Sequence, residues 1–497
     1  MQNIIEYLLT KDIETSQNIF CKDNENTITY QYAIRAIKKI ACFFAKNNIH
    51  NEPILLKAER NAKTLLSIFG VILSNNSFVP VNPVMPEEKI EMIISSSKIK
   101  YQIAFDKNEY CKNVTCFDFE DVLNTDIDED CILALTKNFD ENNDIYTIYT
   151  SGSTGIPKGV LKTQKNVISF VHNFIETFNF ENNLKIANQA PLFFDASMKD
   201  IFLSIATNST IFFPDKTTFA MPIKIVEYLN ANQIDYICWV PSALTIIARL
   251  NTFKYVKSKF LKYVLFVGEV FLPKYLNMWL ENLPDVKFVN TYGSTEIAGV
   301  CLYKVIDKQL PEDKPIPLGK PLKNNKVYLN DGEIIVESNQ IAKCYTNSEE
   351  KNKKVFVNVD GKRLLKTGDY AMLNQDDDIV FLSRKDFQIK HMGYRIELQE
   401  IEISISSLPY ISNCAVLFDA EKDKIVCFVS LNKKIEEPAR VAMGDLREKL
   451  PAYMVPNKIV SLDELPLNFN GKINRTELQK RIKEIWYGYQ RKNFRNA

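Results

Sequence analysis

Short apolar segments alternate with amphipathic segments through the first 300 residues. "KTLLSIFGVIL" (63–73) has the spacing of a buried helix, and "NSFVPVNP" (76–83) has that of a strand ending in a turn. The same order recurs: helix "IVEYLNANQ" (225–233) precedes strand "IDYICWV" (234–240), and helix "LPKYLNMWLENL" (272–283) follows strand "LKYVLFVGE" and precedes strand "VKFVNTYG". This alternation predicts an α/β fold with largely parallel sheets.

Later segments follow a different pattern. Residues from about 315 to 385 are rich in strand patterns such as "KVYLN", "GEIIVES" and "DIVFLSRKD", which indicates a β-subdomain. After residue 385 the order resets, with strands "NCAVLFDA" and "KIVCFVSL" before helix "GDLREKL". We therefore predict a large domain over 1–385, made of two α/β subdomains and a β-subdomain, and a small mobile α+β domain over 386–497.

Composition excludes several classes of protein. The 497 residues contain 62 Lys and Arg against 61 Asp and Glu, so no global field favours nucleic acid or an anionic membrane. Ten cysteines without a CxxC pair, and an N-terminus without a signal-peptide pattern, predict a reduced, cytoplasmic protein. Three histidines (His50, His172 and His391) leave little material for zinc sites or histidine triads.

The segment "IYTSGSTGIPKGV" (148–160) is the first candidate for chemistry. A strand enters a loop of Ser, Thr and Gly that holds one lysine, Lys158. Hydroxyls, bare backbone N–H groups and an ammonium suit a polyphosphate. The loop lacks the GK[ST] of a P-loop NTPase, because Lys158 is followed by Gly159.

Five further motifs follow this loop in order: "NTYGSTE" (290–296), "KTGD" (366–369), "SRKDFQIKHMGYRIELQEIE" (383–402), "PAYMVP" (451–456) and "NGKINR" (470–475). With them the chain resembles the adenylate-forming superfamily of acyl- and aryl-CoA synthetases, luciferases and amino-acid adenylation domains of non-ribosomal peptide synthetases. The amino-acid-activating branch matches best, and "ANQAPLFFD" and "FVGEV" are similar to stand-alone D-alanine–carrier-protein ligases.

The resemblance implies a reaction in which a substrate carboxylate attacks the α-phosphorus of ATP and releases pyrophosphate. Catalysis then rests on positioning and electrostatic stabilisation. The implied nucleotide-binding residues are Thr150, Ser151, Gly152, Ser153, Thr154, Gly155, Asn290, Tyr292, Gly293, Ser294, Thr295, Asp369 and Arg384. By the same resemblance, Lys158 contacts the phosphates, Glu296 ligates Mg²⁺, and Asp369 accepts the ribose hydroxyls.

The resemblance also implies roles for two residues of the small domain. Lys472, in "NGKINR", matches the lysine that clamps the substrate carboxylate and α-phosphate, and we expect it to be the main catalytic residue. Asp386 matches the hinge between an adenylating pose and a thioester-forming pose. The acceptor in the second pose is the phosphopantetheine thiol of a carrier protein.

Residue-by-residue matching gives the substrate pocket as Asp195, Ala196, Lys199, Ser242, Leu265, Val267, Thr291, Gly299 and Val300. Asp195, in "FFDASMKDIF", matches the carboxylate that pairs with the substrate α-ammonium. A buried carboxylate without a cation is costly, so Asp195 favours an amino acid over a fatty or aryl acid.

Our prediction of the substrate's side chain depends on Lys199. A helix from Ser197 onward would place Asp195 and Lys199 one turn apart. A buried ammonium needs an anion, which could be an acidic substrate side chain, Asp195 or Asp200. We favour an acidic substrate, glutamate ahead of aspartate, over a small neutral amino acid. D-alanine is less favoured because its ligases have Met at the position of Lys199 and Cys at that of Val267. A Lys199–Asp195 pair would instead spoil the ammonium site.

Alternatives remain open at this point. They are an acyl- or aryl-CoA synthetase, and a silent carrier-binding scaffold that keeps the fold without turnover. Ser294 and Asn82 depart from the family pattern without removing a reacting group. No carrier segment follows "NGKINR", so we expect a monomer that meets a carrier in trans, unless the chain is a piece of a larger synthetase.

Overall fold

The computed structural model describes residues 3–10, 15–150, 157–384, 388–433, 435–466 and 473–482. The chain divides into two compact units. The larger contains 1–83, 91–149 and 158–385, and the smaller contains 386–497 together with 84–90 and 150–157. Each unit has hydrophobic cores of its own.

The α-helices are numbered in chain order. They are α1 Ile4–Leu8, α2 Tyr30–Lys46, α3 Ala62–Leu73, α4 Glu87–Ser97, α5 Phe119–Leu123, α6 Glu129–Lys137, α7 Gln164–Phe178, α8 Asp195–Ala206, α9 Lys216–Ala220, α10 Pro222–Ala231, α11 Pro241–Arg249, α12 Pro273–Asn282, α13 Glu349–Val355, α14 Leu398–Ser406 and α15 Pro438–Lys449. None of the helices in the described part of the chain has the length and hydrophobicity that crossing a bilayer requires.

The strands are numbered in the same way. In the larger unit they are β1 Ile19–Lys22, β2 Thr27–Thr29, β3 Pro53–Lys57, β4 Ser77–Val81, β5 Tyr101–Ala104, β6 Thr115–Asp118, β7 Asp144–Thr150, β8 Lys158–Thr163, β9 Lys185–Ala187, β10 Thr210–Phe212, β11 Tyr236–Trp239, β12 Tyr263–Val267, β13 Lys287–Tyr292, β14 Leu302–Ile306, β15 Lys320–Pro321, β16 Lys326–Asn330, β17 Glu333–Glu337, β18 Cys344–Tyr345, β19 Phe356–Val359, β20 Lys362–Leu373 and β21 Ile379–Arg384. In the smaller unit they are β22 Gln388–His391, β23 Tyr394–Glu397, β24 Ile411–Asp419, β25 Lys424–Leu431 and β26 Lys458–Ser461.

Two large sheets organise the bigger unit. One has the order β15-β14-β13-β12-β11-β9-β10-β1-β2, and the other has the order β18-β8-β7-β4-β3-β5-β6. Their central strands pair in parallel, while edge strands such as β2, β15 and β18 pair antiparallel. The alternation in the sequence therefore predicted the right fold class, since parallel neighbours need a helical crossover between them.

The β-subdomain and the smaller unit complete the architecture. Strands β16, β17, β20 and β19 form an antiparallel sheet in that order, and β21 pairs with β20. In the smaller unit, β24, β25 and β26 form one sheet, and β22 and β23 form a hairpin. The predicted α/β subdomains, β-subdomain and small α+β unit are all confirmed.

Local sequence explains two helix starts that position functional side chains. Thr163 ends β8 and caps α7 together with Asn166, in a reciprocal capping box. Helix α8 has no side-chain cap at Phe194, and its first residue is Asp195. A carboxylate at that place is favoured by the helix dipole. The helix begins at Asp195, two residues before Ser197, where the sequence analysis placed its start.

Candidate adenylation site

The end of β13 carries the first group of predicted residues. Asn290, Thr291 and Tyr292 are its last residues, and the first two pair in parallel with β12. The Asn290 side-chain amide donates to the Pro317 carbonyl at 2.8 Å. The Thr291 hydroxyl donates to the Phe266 carbonyl at 2.9 Å. Both side chains are therefore fixed by backbone groups at a carboxyl edge of strands, where ligands bind in open α/β sheets.

Tyr292, Asp369 and Arg384 form one cluster, in which Tyr292 and Asp369 are buried and Arg384 is partly exposed. The Tyr292 hydroxyl donates to Asp369 Oδ2, and Arg384 Nη1 donates to Asp369 Oδ1. Asp369 and Arg384 are cross-strand partners in the β20–β21 pair. Burial, reinforced by the Asp369 carboxylate, raises the pKa of the Tyr292 phenol well above its usual value. The sequence predicted these residues together, and the structure brings them into contact.

Gly368 lies at an irregularity within β20, where the pairing of "KTGD" with β17 shifts register. Its φ is +72°, in the left-handed region where a side chain is strained. At this irregularity the Thr367 hydroxyl accepts from the Asp369 amide at 3.1 Å. Each oxygen of the Asp369 carboxylate has one further lone pair, so the residue keeps the capacity to accept hydroxyl donors.

Lys158 and Glu296 meet in a second cluster. The Lys158 ammonium lies 3.4 Å from Glu296 Oε1, and both side chains are nearly buried. Tyr345 touches both of them: its hydroxyl donates to Glu296 Oε1 at 2.8 Å, and its ring centre lies 4.4 Å from the Lys158 ammonium. Tyr345 was not predicted from the sequence, because it reaches this cluster through the antiparallel pairing of β18 with β8, two strands far apart in the chain.

A close backbone approach shapes the segment between Tyr292 and Val300. A Cβ on Gly293 would lie 2.4 Å from the Gly299 carbonyl oxygen, so the chain folds tightly back on itself here. Gly299 has a φ of +65°, and a Cβ there would lie 2.2 Å from the Phe170 ring. Ser294 and Thr295 lie within this fold, and the Ser294 carbonyl accepts from the Ile297 amide at 3.0 Å.

Asp195 lies in a third cluster with two residues that the sequence analysis missed. The Tyr146 hydroxyl donates to Asp195 Oδ1 at 2.9 Å, and the Lys162 ammonium lies 3.8 Å from the same oxygen. No described residue donates a hydrogen bond to Asp195 Oδ2. Burial raises the pKa of Asp195 despite the attraction of Lys162, and burial lowers the pKa of Lys162.

A pattern in the sequence could have identified Lys162. Alternate residues of a strand share a face, so Lys158, Val160 and Lys162 project to the same side of β8. A second lysine on the same face of the strand as the predicted phosphate-binding lysine therefore indicates a further charge near the site. No comparable pattern identifies Tyr146, because an aromatic residue in a buried strand is usually an ordinary core residue.

Lys199 makes neither of the ion pairs considered from the sequence. Its ammonium donates to the Ala196 carbonyl of the preceding turn at 2.6 Å, and the side chain is 2% exposed. In the described part of the chain, no carboxylate of Asp195 or Asp200 lies within ion-pair distance of it. Asp200 instead accepts from the Asn188 amide at 2.8 Å, and burial raises its pKa to about 7.

The remaining predicted pocket residues lie on several elements. Leu265 and Val267 are buried on β12, and Val267 pairs with Thr291. Leu265, Val267 and Val300 share a core cluster with Met198, the neighbour of Lys199. The Ser242 amide donates to Glu269 at 2.9 Å, so the start of α11 is tied to the loop after β12.

Several predictions fall on residues outside the described ones. These are Ser151, Gly152, Ser153, Thr154 and Gly155 of the phosphate loop, the hinge residue Asp386 and the lysine Lys472. Thr150 is described and ends β7. The described residues contain no group of three or more His, Cys, Asp or Glu side chains placed to hold a metal ion.

The fold and the three clusters define a class of enzyme: an AMP-forming ligase of the adenylate-forming type. A family model described as "AMP-binding enzyme" matches residues 12–346, and one described as "AMP-binding enzyme C-terminal domain" matches residues 400–472. The chain belongs to this family of AMP-binding enzymes, and the superfamily predicted from the motifs is confirmed.

Relatives and solved structures extend the comparison. The chain is 32% identical to a D-alanine–D-alanyl carrier protein ligase of Listeria monocytogenes, over 88% of this chain and 91% of the relative. It is 29% identical to the ligase of that name in Lactococcus lactis, over 93% and 96%. Its fold matches the Vibrio cholerae adenylation domain AlmE in complex with glycyl-adenosine-5'-phosphate with a TM-score of 0.81, at 17% identity over 97% of each chain. The o-succinylbenzoate CoA synthetase of Bacillus subtilis matches with a TM-score of 0.82, at 20% identity over 97% and 98%.

Proposed function

We propose that this chain activates an amino acid with an acidic side chain, glutamate ahead of aspartate, as its aminoacyl-adenylate and transfers it to the phosphopantetheine thiol of a carrier protein. The choice of an acidic substrate side chain rests on the surroundings of the Lys199 ammonium. It is buried, and it donates to a neutral carbonyl rather than to a carboxylate. A substrate carboxylate would supply the missing counter-charge.

Asp195 supports an amino acid as the substrate. Its Oδ1 is held by Tyr146, while Oδ2 accepts no hydrogen bond from a described residue and is left for the substrate α-ammonium. A fatty or aryl acid would leave this oxygen without a donor. Asp195 and Lys199 lie four residues apart on α8, so one helix would recognise both ends of an acidic amino acid.

The nucleotide-binding roles are part of the same proposal. Members of the family use ATP, and Asp369, fixed by Tyr292 and Arg384, has the acceptor capacity that ribose hydroxyls require. Lys158 would neutralise phosphate charge from its place beside Glu296. Glu296 would ligate Mg²⁺, since that ion prefers carboxylate oxygens, and the ion would lower the charge repulsion between carboxylate and phosphate.

The relatives support the carrier protein as acceptor. Their names specify an amino acid, D-alanine, and a carrier protein, and they match most of this chain. They also make D-alanine the second candidate substrate. Lys199 distinguishes the two candidates, because a methyl side chain offers no charge to a buried ammonium.

The test is ATP–pyrophosphate exchange across a panel of L- and D-amino acids, repeated with Lys199→Met. We expect exchange to be strongest with glutamate, and the variant to lose at least 10-fold in kcat/KM for glutamate while keeping or gaining activity with alanine. Strongest exchange with D-alanine, unchanged in Lys199→Met, would reject the acidic substrate and favour the second candidate. Exchange with no amino acid would reject the amino-acid proposal as a whole.

A further inference from the structure

Lys162 is a buried lysine for which the proposed reaction has no role. It lies on β8, is fully excluded from solvent, and has the same orientation as Lys158 four residues earlier. Its ammonium makes no hydrogen bond to a described residue. A buried ammonium in this state is costly, so a charge that compensates it must lie nearby.

That compensating charge is Asp195. The Lys162 ammonium lies 3.8 Å from Asp195 Oδ1, which is within Coulombic range but beyond hydrogen-bond distance. Oδ1 is already hydrogen-bonded to the Tyr146 hydroxyl. The contacts of Lys162 and Tyr146 with Asp195 therefore both involve Oδ1, whereas Oδ2 accepts no hydrogen bond from a described residue.

The groups around the pair come from four elements. Tyr146 projects from β7, Lys162 from β8 and Lys199 from α8, and Glu296 acts on both members of the pair from the loop after β13. Lys162 and Lys199 both favour the charged form of Asp195, while burial and Glu296 oppose it. Lys162 has the largest favourable effect of these groups.

We propose that Lys162 is a positioning residue that keeps Asp195 ionised before the amino acid binds, so that the carboxylate is ready to accept the α-ammonium. This inference rests on the proposed role of Asp195 in amino-acid recognition. Lys162 does not touch the substrate; it acts through Asp195. Without it, burial would favour the protonated carboxyl more strongly, and a protonated carboxyl cannot form an ion pair with an ammonium.

Lys162→Met tests the proposal, because methionine keeps the length of the side chain and removes its charge. An opposite charge within about 4–6 Å lowers a carboxyl pKa by about 1–3 units, so the variant should raise the pKa of Asp195 by about that amount. Asp195 must be ionised to bind the ammonium, and kcat/KM for the amino acid falls as pH drops through this pKa. We expect the acidic limb of the kcat/KM profile to move about 1–3 pH units upward, with recovery at alkaline pH and an unchanged KM for ATP.

Two controls separate this role from a structural one. Lys38→Met removes another mostly buried lysine, whose ammonium lies 3.0 Å from Glu129 rather than beside Asp195. This variant should leave the acidic limb of the profile in place. In an Asp195→Asn background, Lys162→Met should change the amino-acid KM less than twofold, because its partner is already neutral. A uniform loss of activity at every pH, in both backgrounds, would overturn the proposal.

Infrared difference spectroscopy of the ligand-free protein keeps the test independent of the substrate. Subtracting the Asp195→Asn spectrum from that of the otherwise identical protein isolates the Asp195 carboxyl, whose protonated band we expect to persist to higher pH in Lys162→Met. Lys162→Leu provides a second neutral variant if the methionine variant folds poorly. Equal titration with and without Lys162 overturns the inference, whereas failure of exchange with every amino acid overturns only the proposed function.

Discussion

Tyr345 connects the two charged side chains of the predicted phosphate site. Its hydroxyl donates to Glu296, and its ring lies beside the Lys158 ammonium, so a single aromatic residue fixes a cation and an anion at once. Cation–π contacts and hydrogen bonds to charged groups are both stronger where water is excluded. The arrangement holds Lys158 close to Glu296 without a tight ion pair between them.

Tyr345→Phe should separate these two contacts. The variant keeps the ring beside Lys158 and removes the donor to Glu296, whose carboxylate then loses a hydrogen bond worth about 1.5–3 kcal/mol. We expect kcat for ATP–pyrophosphate exchange to fall about 10- to 100-fold, with the amino-acid KM unchanged. Tyr328→Phe, on an exposed side chain of β16, is the matched control and should have no effect. A higher amino-acid KM at constant kcat would contradict this role.

The buried Asp200 carboxyl should make the stability of the protein, rather than its activity, depend on pH. Burial raises its pKa from 3.8 to about 7, so between these values the folded state holds a proton that the unfolded state has lost. Stability from this group is therefore full below about pH 4 and declines as pH rises to about 7, by a few kcal/mol at about 1.4 kcal/mol per pKa unit. Asp200→Asn removes the decline.

Urea denaturation at pH 5 and pH 8 measures this effect. The free energy of unfolding of Asp200→Asn, minus that of the unchanged protein, should be larger at pH 8 than at pH 5 by about 1–3 kcal/mol, which means that the variant is relatively more stable at pH 8. Asn188 can still donate to the remaining carbonyl oxygen, so the hydrogen bond seen at 2.8 Å is retained. The same difference at both pH values would show that Asp200 ionises near its ordinary pKa.

At the scale of elements, a buried amide holds the segment that follows Glu296. The Gln340 Nε2 group donates to the carbonyls of Ala298 and Val300 at 2.7 and 3.0 Å. Its Oε1 atom accepts from the side chains of Asn173 and Asn325, both at 2.8 Å. All hydrogen-bonding positions of a wholly buried side chain are thereby used, and the predicted pocket residues 299–300 are tied to α7 and to the loop before β16.

Gln340→Met should therefore affect both stability and substrate binding. The variant keeps the approximate shape of the side chain but leaves four buried polar groups without their partner, at about 1–3 kcal/mol for each one that stays unsatisfied. We expect the free energy of unfolding to fall by about 3 kcal/mol, and the amino-acid KM to rise several-fold more than the ATP KM. Gln375→Met, on an exposed turn, is the control. An unchanged KM ratio would mean that the network supports the fold alone.

The sequence predicted elements more completely than contacts. The helix at 63–73 and the strands at 263–267 and 287–292 follow from local periodicity, which the chain carries in consecutive residues. Tyr345 approaches Lys158 through strand pairing across nearly two hundred positions, and periodicity contains no such information. Asp195 and Lys199 have the helical spacing for an ion pair, but the Lys199 ammonium donates to a carbonyl, and it is Lys162, on strand β8, whose ammonium lies 3.8 Å from Asp195 Oδ1. Tertiary placement decided the pairing.

At the scale of the whole molecule, the two units have separate hydrophobic cores, and we expect them to unfold in separate transitions. Two glycine substitutions test this expectation: one should stabilise the smaller unit, and the other should destabilise the larger unit. Gly444 lies in the exposed interior of α15, and a methyl group added there would have no atom within 4 Å, so Gly444→Ala should stabilise the smaller unit by about 0.5–1 kcal/mol. Gly299→Ala would press a methyl group into the Phe170 ring at a positive φ and should destabilise the larger unit by more than about 1 kcal/mol.

Differential scanning calorimetry of the full chain distinguishes the two outcomes. Gly444→Ala should raise the Tm of one transition by about 2–8 °C and leave the other in place. The Tm of a small unit changes by several degrees for each kcal/mol of added stability. Gly299→Ala should lower only the other transition, and the double variant should show both shifts, because sites in separate cores contribute additively. If both substitutions instead move one common transition, the units unfold as a single cooperative body, and stability in one is transmitted to the other.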